Sequence, residues 1–162
     1  LKPAFAKDGT ITAANASSIS DGAAALVVTK ESVAKAQGLP IAARIIAWAT
    51  NSQEPAKFTS APVPAIRKVL EKAGWTVDDV DLFEINEAFA MVPMIAMKEL
   101  GIPAEKLNVN GGATALGHPI GASGARIIAT LIAALQNRGL KKGVASLCIG
   151  GGEGTAIAVE LA

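Results

Sequence analysis

The hydrophobic positions along the chain predict short strands that alternate with helices. Residues 23–29 are a nearly continuous apolar run, which is typical of a strand that is buried on both faces, and residues 42–49 predict a second strand. Residues 31–37 lie between them and are helical in composition. Residues 64–73 repeat apolar side chains at helical spacing and predict a second helix. Residues 1–20 are polar and rich in turn-forming residues, so they predict an irregular connection.

The second half of the chain continues this alternation. Residues 80–85 predict a third strand, residues 87–100 a helix, and residues 122–138 the longest helix of the chain. Residues 143–149 and 155–161 predict two final strands, and their short link favours an antiparallel pair. The order β-α-β-α-β-α-β-β predicts an α/β fold in which helices cover a mixed five-stranded sheet.

Composition and charge then exclude several classes of protein. Hydrophobic residues make up 51% of the 162 residues, and 15 basic side chains nearly balance 14 acidic ones. This composition argues against disorder and against electrostatically driven nucleic-acid binding, so no nucleic-acid partner is expected. Aromatic residues are only 4%, so the core must be built from aliphatic side chains. One cysteine and one histidine exclude an internal disulfide and are too few for a structural zinc site, so no metal is predicted.

No stretch of the sequence predicts contact with a membrane. The longest apolar run, residues 127–135, is less than half of the roughly 20 residues that a spanning helix needs. The chain opens at Leu1 with no leader pattern, and we interpret that start as a fragment or a processed piece. The lone thiol and the absence of a leader favour a cytoplasmic location.

Three polar residues occupy positions that suit a catalytic site. Asn86 directly follows the predicted strand at residues 80–85, His118 lies in a glycine-rich loop, and Cys148 lies at the end of another strand. Each has an ordinary alternative role: a helix cap for the asparagine, a surface loop position for the histidine, and a small core residue for the cysteine. Because strand ends gather polar groups in α/β folds, the three can converge on one rim of the sheet.

Together these side chains suit carbanion chemistry at a thioester. A histidine N–H and a water held by an asparagine amide can bind an enolate oxygen. A cysteine near its ordinary pKa of about 8.5 can exchange the proton on the adjacent carbon. The chain offers no evident acyl-carrying nucleophile. Arg126, Lys141 and Lys142 are interpreted as scattered solvated charges and not as a basic patch.

Three ordered segments resemble the carboxyl-terminal motifs of the thiolases. They are NEAF at residues 86–89, GGATALGHPIGASGAR at residues 111–126 and CIGGG at residues 148–152. A fourth segment, NASSISDGAAALVV at residues 15–28, resembles the boundary between the loop domain and the carboxyl-terminal domain of the family. The resemblance covers the whole chain and points to the biosynthetic acetyl-CoA acetyltransferase branch. It implies a tail of the loop domain at residues 1–20 and the carboxyl-terminal domain at residues 21–162.

The resemblance also implies a role for each matching position. Asn86 would hold the water of a first oxyanion hole, and His118 would donate to that hole and help to activate the nucleophile. Cys148 would be the general acid and base, and the Gly150 N–H would contribute to a second oxyanion hole. Four positions would contact the pantetheine amide or line the tunnel for coenzyme A: Ser17, Phe58, Ala88 and Phe89.

The implied activity is Claisen condensation or thiolysis of acetoacetyl-CoA or a related 3-ketoacyl-CoA. Coenzyme A thioesters would be the substrates, with no further cofactor. Thiolases carry the acyl group on a second cysteine in an amino-terminal domain, so the resemblance implies such a domain or subunit as a partner, a homodimer or tetramer when complete, and no activity for this chain alone.

Two other readings fit the motifs less well. One is a non-catalytic thiolase-like module that binds an acyl-CoA or a lipid, but such a module has no need of Asn86, His118 and Cys148 together. The other is a ketoacyl synthase of the initiating type, a branch that has a similar Cys-His-Asn set without the CIGGG element.

Overall fold

A four-stranded mixed sheet forms the centre of the fold in the computed structural model, which describes residues 1–162. The strands are β1 (Ala43–Ser52), β2 (Leu82–Ile85), β3 (Lys142–Cys148) and β4 (Glu153–Leu161). Their spatial order is β1-β4-β3-β2, with β2 parallel to β3 and the other neighbours antiparallel. The helices are α1 (Glu31–Ala36), α2 (Pro62–Ala73), α3 (Met91–Leu100), α4 (Ala113–Leu116) and α5 (Ser123–Arg138). Two short 3₁₀ helices span Pro55–Ser60 and Ala104–Lys106.

The predicted fifth strand is the one element that does not form. Residues 23–29 adopt neither a strand nor a helix, and they pair with no edge of the sheet. Their side chains are exposed, with Val27 at 94%. An apolar run predicts burial, but a strand also needs a neighbouring backbone to accept its hydrogen bonds, and this chain provides none there. The prediction of a five-stranded sheet was therefore wrong by this one strand, whereas the mixed α/β arrangement is confirmed.

The sheet is covered on both faces by helices, and each face has its own apolar cluster. On one face, α2 and α3 pack over a cluster that includes Phe83, Ile85 and Val144. On the other face, α5 packs through Ile127 and Leu131 onto a smaller cluster. This division follows from the strand period of two, which sends successive side chains of β2 and β3 to opposite faces.

The parallel pairing of β2 with β3 determines where the polar strand ends meet. Ile85 lies opposite Ser146 in the register, and the Asn86 N–H donates to the Ser146 carbonyl oxygen at 2.9 Å. The carboxyl ends of β2 and β3 therefore lie side by side, with Asn86 at one and Cys148 at the other. No helix of the chain has both the length and the apolar character that crossing a membrane requires.

The turn from β3 to β4 depends on a glycine. Gly152 has a φ of +100°, and a Cβ there would collide with the Gln53 carbonyl oxygen. The turn is closed by hydrogen bonds from the Ile149 N–H to Glu153 and from the Gly152 N–H to Ile149. This geometry fixes the direction in which the backbone leaves Cys148.

Candidate active site

Asn86 and His118 lie next to each other at the end of β2. The Asn86 Nδ2 atom is 3.4 Å from His118 Nε2, and the asparagine is only 1% exposed. The loop that carries the histidine is held by its backbone, because the His118 N–H donates to the Ser18 carbonyl oxygen at 2.9 Å. Gly117 has a φ of +93°, and a Cβ there would collide with the Ser20 side chain, so the loop requires glycine immediately before the histidine.

The other ring nitrogen of His118 is bound to the start of α5. His118 Nδ1 lies 2.6 Å from Ser123 Oγ, and the Ser123 hydroxyl donates to the Pro119 carbonyl oxygen at 3.0 Å. We assign the single hydrogen of that hydroxyl to the Pro119 carbonyl, which makes Ser123 the acceptor of an Nδ1–H. Nε2 then holds a lone pair toward the Asn86 amide. This assignment makes the neutral imidazole a proton acceptor on the side that faces Asn86.

Burial keeps the imidazole uncharged at neutral pH. Desolvation is the main cause that lowers the pKa of His118, and the positive charge of Arg126 adds to it. A neutral histidine with an unprotonated Nε2 can take a proton from an incoming thiol and can then donate the new Nε2–H to an oxyanion.

Cys148 lies at the end of β3 and is only 6% exposed. Its thiol makes no hydrogen bond to Asn86 or His118, so the structure places it at the neighbouring strand end without joining it to that pair. Burial raises the pKa of the Cys148 thiol to about 11, above the ordinary value that the sequence analysis assumed. The thiol therefore holds its proton at neutral pH and is prepared to act first as an acid.

Gly150 lies in the exposed turn between β3 and β4. Its N–H makes no backbone hydrogen bond within the chain. A free amide in a hydrogen-bonded turn, two residues after Cys148, is a donor that suits a developing oxyanion.

The four positions expected to contact coenzyme A come together around Phe89. Both the backbone N–H and the hydroxyl of Ser17 donate to the Ala88 carbonyl oxygen, at 3.2 Å and 2.9 Å. Phe58 meets Phe89 edge to face with ring centroids 6.2 Å apart, and Phe5 approaches the same ring at 6.4 Å. The Ser17 hydroxyl retains its lone pairs and can accept a hydrogen bond from an amide.

A buried charge cluster that was not predicted from the sequence lies beneath Asn86. Arg126 Nη1 donates to Glu84 Oε1 at 2.9 Å, and Arg126 Nη2 donates to Asn86 Oδ1 at 3.4 Å. The interpretation of Arg126 as a solvated charge was wrong, because its side chain is largely buried and paired. Lys142 lies apart from it, over the ring of Trp75. A carboxylate inside the otherwise apolar strand β2 was the available signal, because a buried acid needs a partner.

A second polar cluster ties the glycine-rich loop to the end of β2. The Asn108 side chain accepts from the Ile85 N–H at 2.8 Å and donates to the Ile85 carbonyl oxygen at 2.9 Å. Its amide also donates to Glu87, whose other oxygen accepts from the Thr114 N–H at 3.0 Å. These contacts orient the loop that leads to His118. The chain gathers no group of three or more side chains that could hold a metal ion.

Glu84 gives this cluster a measurable dependence on pH. Burial raises the pKa of Glu84 to about 7, although Arg126 and its hydrogen bond oppose the shift. Glu84 therefore binds a proton more tightly in the folded chain than in the unfolded chain. The stability that this proton adds is complete below the unfolded pKa of Glu84 and is lost as the pH rises through about 7. We expect the free energy of unfolding to fall by about 3 kcal/mol between pH 4.5 and 8 from this group alone.

Urea unfolding of the wild type and of Glu84→Gln across this pH range tests the expectation. The glutamine variant should lack the part of the decline that belongs to Glu84. Glu105→Gln, at an exposed glutamate, is the matched control and should retain the decline. Equal slopes in the wild type and Glu84→Gln would contradict the assignment.

Comparison with known proteins assigns the whole chain to one family. Residues 39–161 match the model "Thiolase, C-terminal domain", and residues 1–32 match the model "Thiolase, N-terminal domain". An acetyl-CoA acetyltransferase of Allochromatium vinosum is 56% identical over 160 residues, which are 99% of this chain and 41% of that protein. The chain thus spans about two fifths of the length of this relative.

Solved structures agree with the sequence comparison. The crystal structure of the Bacillus anthracis acetyl-CoA acetyltransferase superimposes with a TM-score of 0.97 at 52% identity, over 100% of this chain and 41% of that one. Human mitochondrial 3-ketoacyl-CoA thiolase in complex with CoA superimposes with a TM-score of 0.92 at 40% identity, over 100% of this chain and 41% of that one. From its motifs, its fold and these similarities, the chain belongs to the thiolase family.

Proposed function

We propose that this chain is the carboxyl-terminal part of an acetyl-CoA C-acetyltransferase, which condenses two acyl-CoA molecules or cleaves acetoacetyl-CoA or a related 3-ketoacyl-CoA. The observation that carries the proposal is the 3.4 Å contact between Asn86 and a neutral His118, at a strand end adjacent to that of Cys148. Such a set can stabilise an enolate and move a proton to or from its carbon. The family relationship supplies the thioester as the substrate class.

In the cleavage direction, the nucleophilic cysteine of an amino-terminal domain gives its proton to His118 Nε2, and its sulfur attacks the keto carbon of the substrate. The carbon–carbon bond breaks, and its electron pair becomes the enolate of acetyl-CoA. His118 Nε2–H and a water on Asn86 stabilise the enolate oxygen, while the Cys148 thiol protonates the carbon. The Cys148 thiolate then takes the proton of an incoming CoA thiol, whose sulfur attacks the acyl group. The bond between the acyl carbon and the amino-terminal cysteine breaks, and that cysteine recovers its proton from His118 Nε2.

Condensation is the reverse of these steps. A protonated Cys148 suits the start of cleavage, whereas condensation begins with a Cys148 thiolate that removes a proton from acetyl-CoA. The direction in the cell follows metabolite levels and not the site itself. We place this reaction in the cytoplasm, where a lone reduced thiol is stable.

The site also needs an amino-terminal thiolase domain, on the same polypeptide or on another. Cys148 is the only cysteine of the chain, so the acyl-carrying thiol must come from a partner. The exposed apolar run at residues 23–29 lies within the segment that matches the amino-terminal domain model. Trp48 is 68% exposed on β1, so the sheet also presents apolar surface that a partner can cover. A homodimer or tetramer of the complete protein is part of this proposal.

We expect the chain alone to give no turnover of acetoacetyl-CoA with CoA, because it lacks the acyl-accepting sulfur. The measurement is the loss of acetoacetyl-CoA absorbance with the chain alone, and then with the amino-terminal half supplied in trans or fused. Activity should appear only in the second case, and His118→Ala should remove it. Turnover by the chain alone would contradict the division of roles. Tight acyl-CoA binding without turnover in the assembled protein would instead favour the non-catalytic module.

A further inference from the structure

Glu84, Asn86 and Arg126 form one cluster because strand and helix geometry place them on the same side of the sheet. Glu84 and Asn86 are two residues apart at the end of β2, so they share a face. Leu82, two residues earlier, packs in the cluster under α5. Arg126 projects from the first turn of α5 and reaches both side chains.

The arginine constrains the asparagine through its chemistry as a donor. A guanidinium can only donate hydrogen bonds, so it pairs with the Asn86 carbonyl oxygen and excludes the amide nitrogen. This orientation directs Nδ2 toward His118 Nε2. A flipped amide would place its NH₂ group against the guanidinium and its oxygen against the lone pair of Nε2, and both contacts would be repulsive.

Stability does not explain why this ion pair is buried. Glu84 is 2% exposed, and the arginine side chain is also largely buried. Removing two charges from water carries a large desolvation cost, and an apolar pair of similar volume is often as stable or more stable. The buried pair therefore points to a need for a charged donor that is held in a fixed position and orientation next to Asn86.

We propose that Arg126, held in place by Glu84, is a positioning residue that fixes the amide orientation of Asn86 and so sets the direction of a hydrogen-bond chain. The chain runs from Asn86 Nδ2–H to His118 Nε2, and from His118 Nδ1–H to the Ser123 hydroxyl and on to the Pro119 carbonyl. The catalytic role of this hydrogen-bond chain rests on the proposed thiolase function. The orientation of the Asn86 amide does not depend on that function.

The test is ¹⁵N NMR of the His118 ring, whose nitrogen shifts report which nitrogen carries the proton. Because His118 is the only histidine of the chain, its signals cannot be confused with those of another histidine. In the wild type we expect the neutral ring to hold its proton on Nδ1. Arg126→Met removes both the charge and the donors, so the tautomer should become mixed and the pKa of His118 should rise. Arg126→Lys keeps the charge but removes the planar guanidinium that donates to two partners at once. The tautomer should therefore become mixed, while the pKa of His118 changes less than in Arg126→Met. Both variants retain Glu84, which is the other charged side chain of this cluster.

Two further variants control for folding. Glu84→Gln keeps an oxygen for Arg126 and should keep the Nδ1–H tautomer. The double change Glu84→Leu with Arg126→Met replaces the ion pair with an apolar pair, so it should fold yet show the mixed tautomer. A wild-type tautomer in both Arg126→Lys and the folded double variant would overturn the proposal.

Activity of the assembled enzyme separates this proposal from the proposed function. Arg126→Lys should lower kcat about 10-fold with little change in KM, a smaller loss than the roughly 100-fold cost of deleting an oxyanion donor. An inactive wild-type assembly with the expected tautomer shifts would sink the thiolase function and leave the positioning role standing. An active wild type with an unchanged tautomer in the variants would do the opposite.

Discussion

Replacement of Cys148 with alanine in the assembled enzyme is expected to stop condensation and leave acylation intact. In the proposed reaction, the acyl group is carried by a different cysteine, whose proton goes to His118. In that reaction Cys148 exchanges a proton with the departing CoA thiol and with the carbon of the second acetyl-CoA. A thiolate can leave without a protein acid, whereas the carbon proton needs a positioned base, so Cys148→Ala blocks the carbon step and spares acylation. A positioned acid or base contributes about 10²- to 10⁴-fold, and we expect a loss of that size in the formation of acetoacetyl-CoA.

Mass spectrometry of the protein after incubation with acetyl-CoA measures the first half-reaction, and acetoacetyl-CoA formation measures the second. Val144→Ala is the matched control because this residue lies in the same strand and the same apolar cluster as Cys148. It should lose packing but retain condensation. A Cys148→Ala enzyme that takes up no acyl group, while Val144→Ala does, would refute this division of labour.

The strands and helices that the sequence predicted correctly are those with a local signal. The apolar stripe of α5 and the antiparallel pair β3 and β4 can be read from spacing and link length alone. Residues 23–29 show the limit of that signal. Their composition indicates burial, but whether they form a strand depends on a partner backbone that this chain does not contain.

The site was predictable to the extent that topology determines it. Asn86 follows β2 and Cys148 ends β3, and the carboxyl ends of neighbouring parallel strands meet at one edge of a sheet. Arg126 could not be placed in the same way, because 42 residues separate it from Glu84. A sequence pattern shows that a buried acid needs a partner but not which cation reaches it. The depth of Cys148, which determines the pKa of its thiol, likewise depends on packing from distant elements.

The thiol of Cys148 is expected to react about 100-fold more slowly with iodoacetamide in the folded chain than in the unfolded chain at pH 7. The thiolate is the reactive form, and burial raises the pKa of the thiol to about 11 from an ordinary value of 9.0, which lowers the thiolate fraction at pH 7 about 100-fold. Because Cys148 is the only cysteine, intact mass follows its reaction without ambiguity. The rate in the folded chain should still rise at pH 9 to 10, whereas the rate in urea should already level off. Equal rates at pH 7 in folded and unfolded chains would mean that the thiol is not buried as the structure shows, and the acid role of Cys148 in cleavage would lose its physical basis.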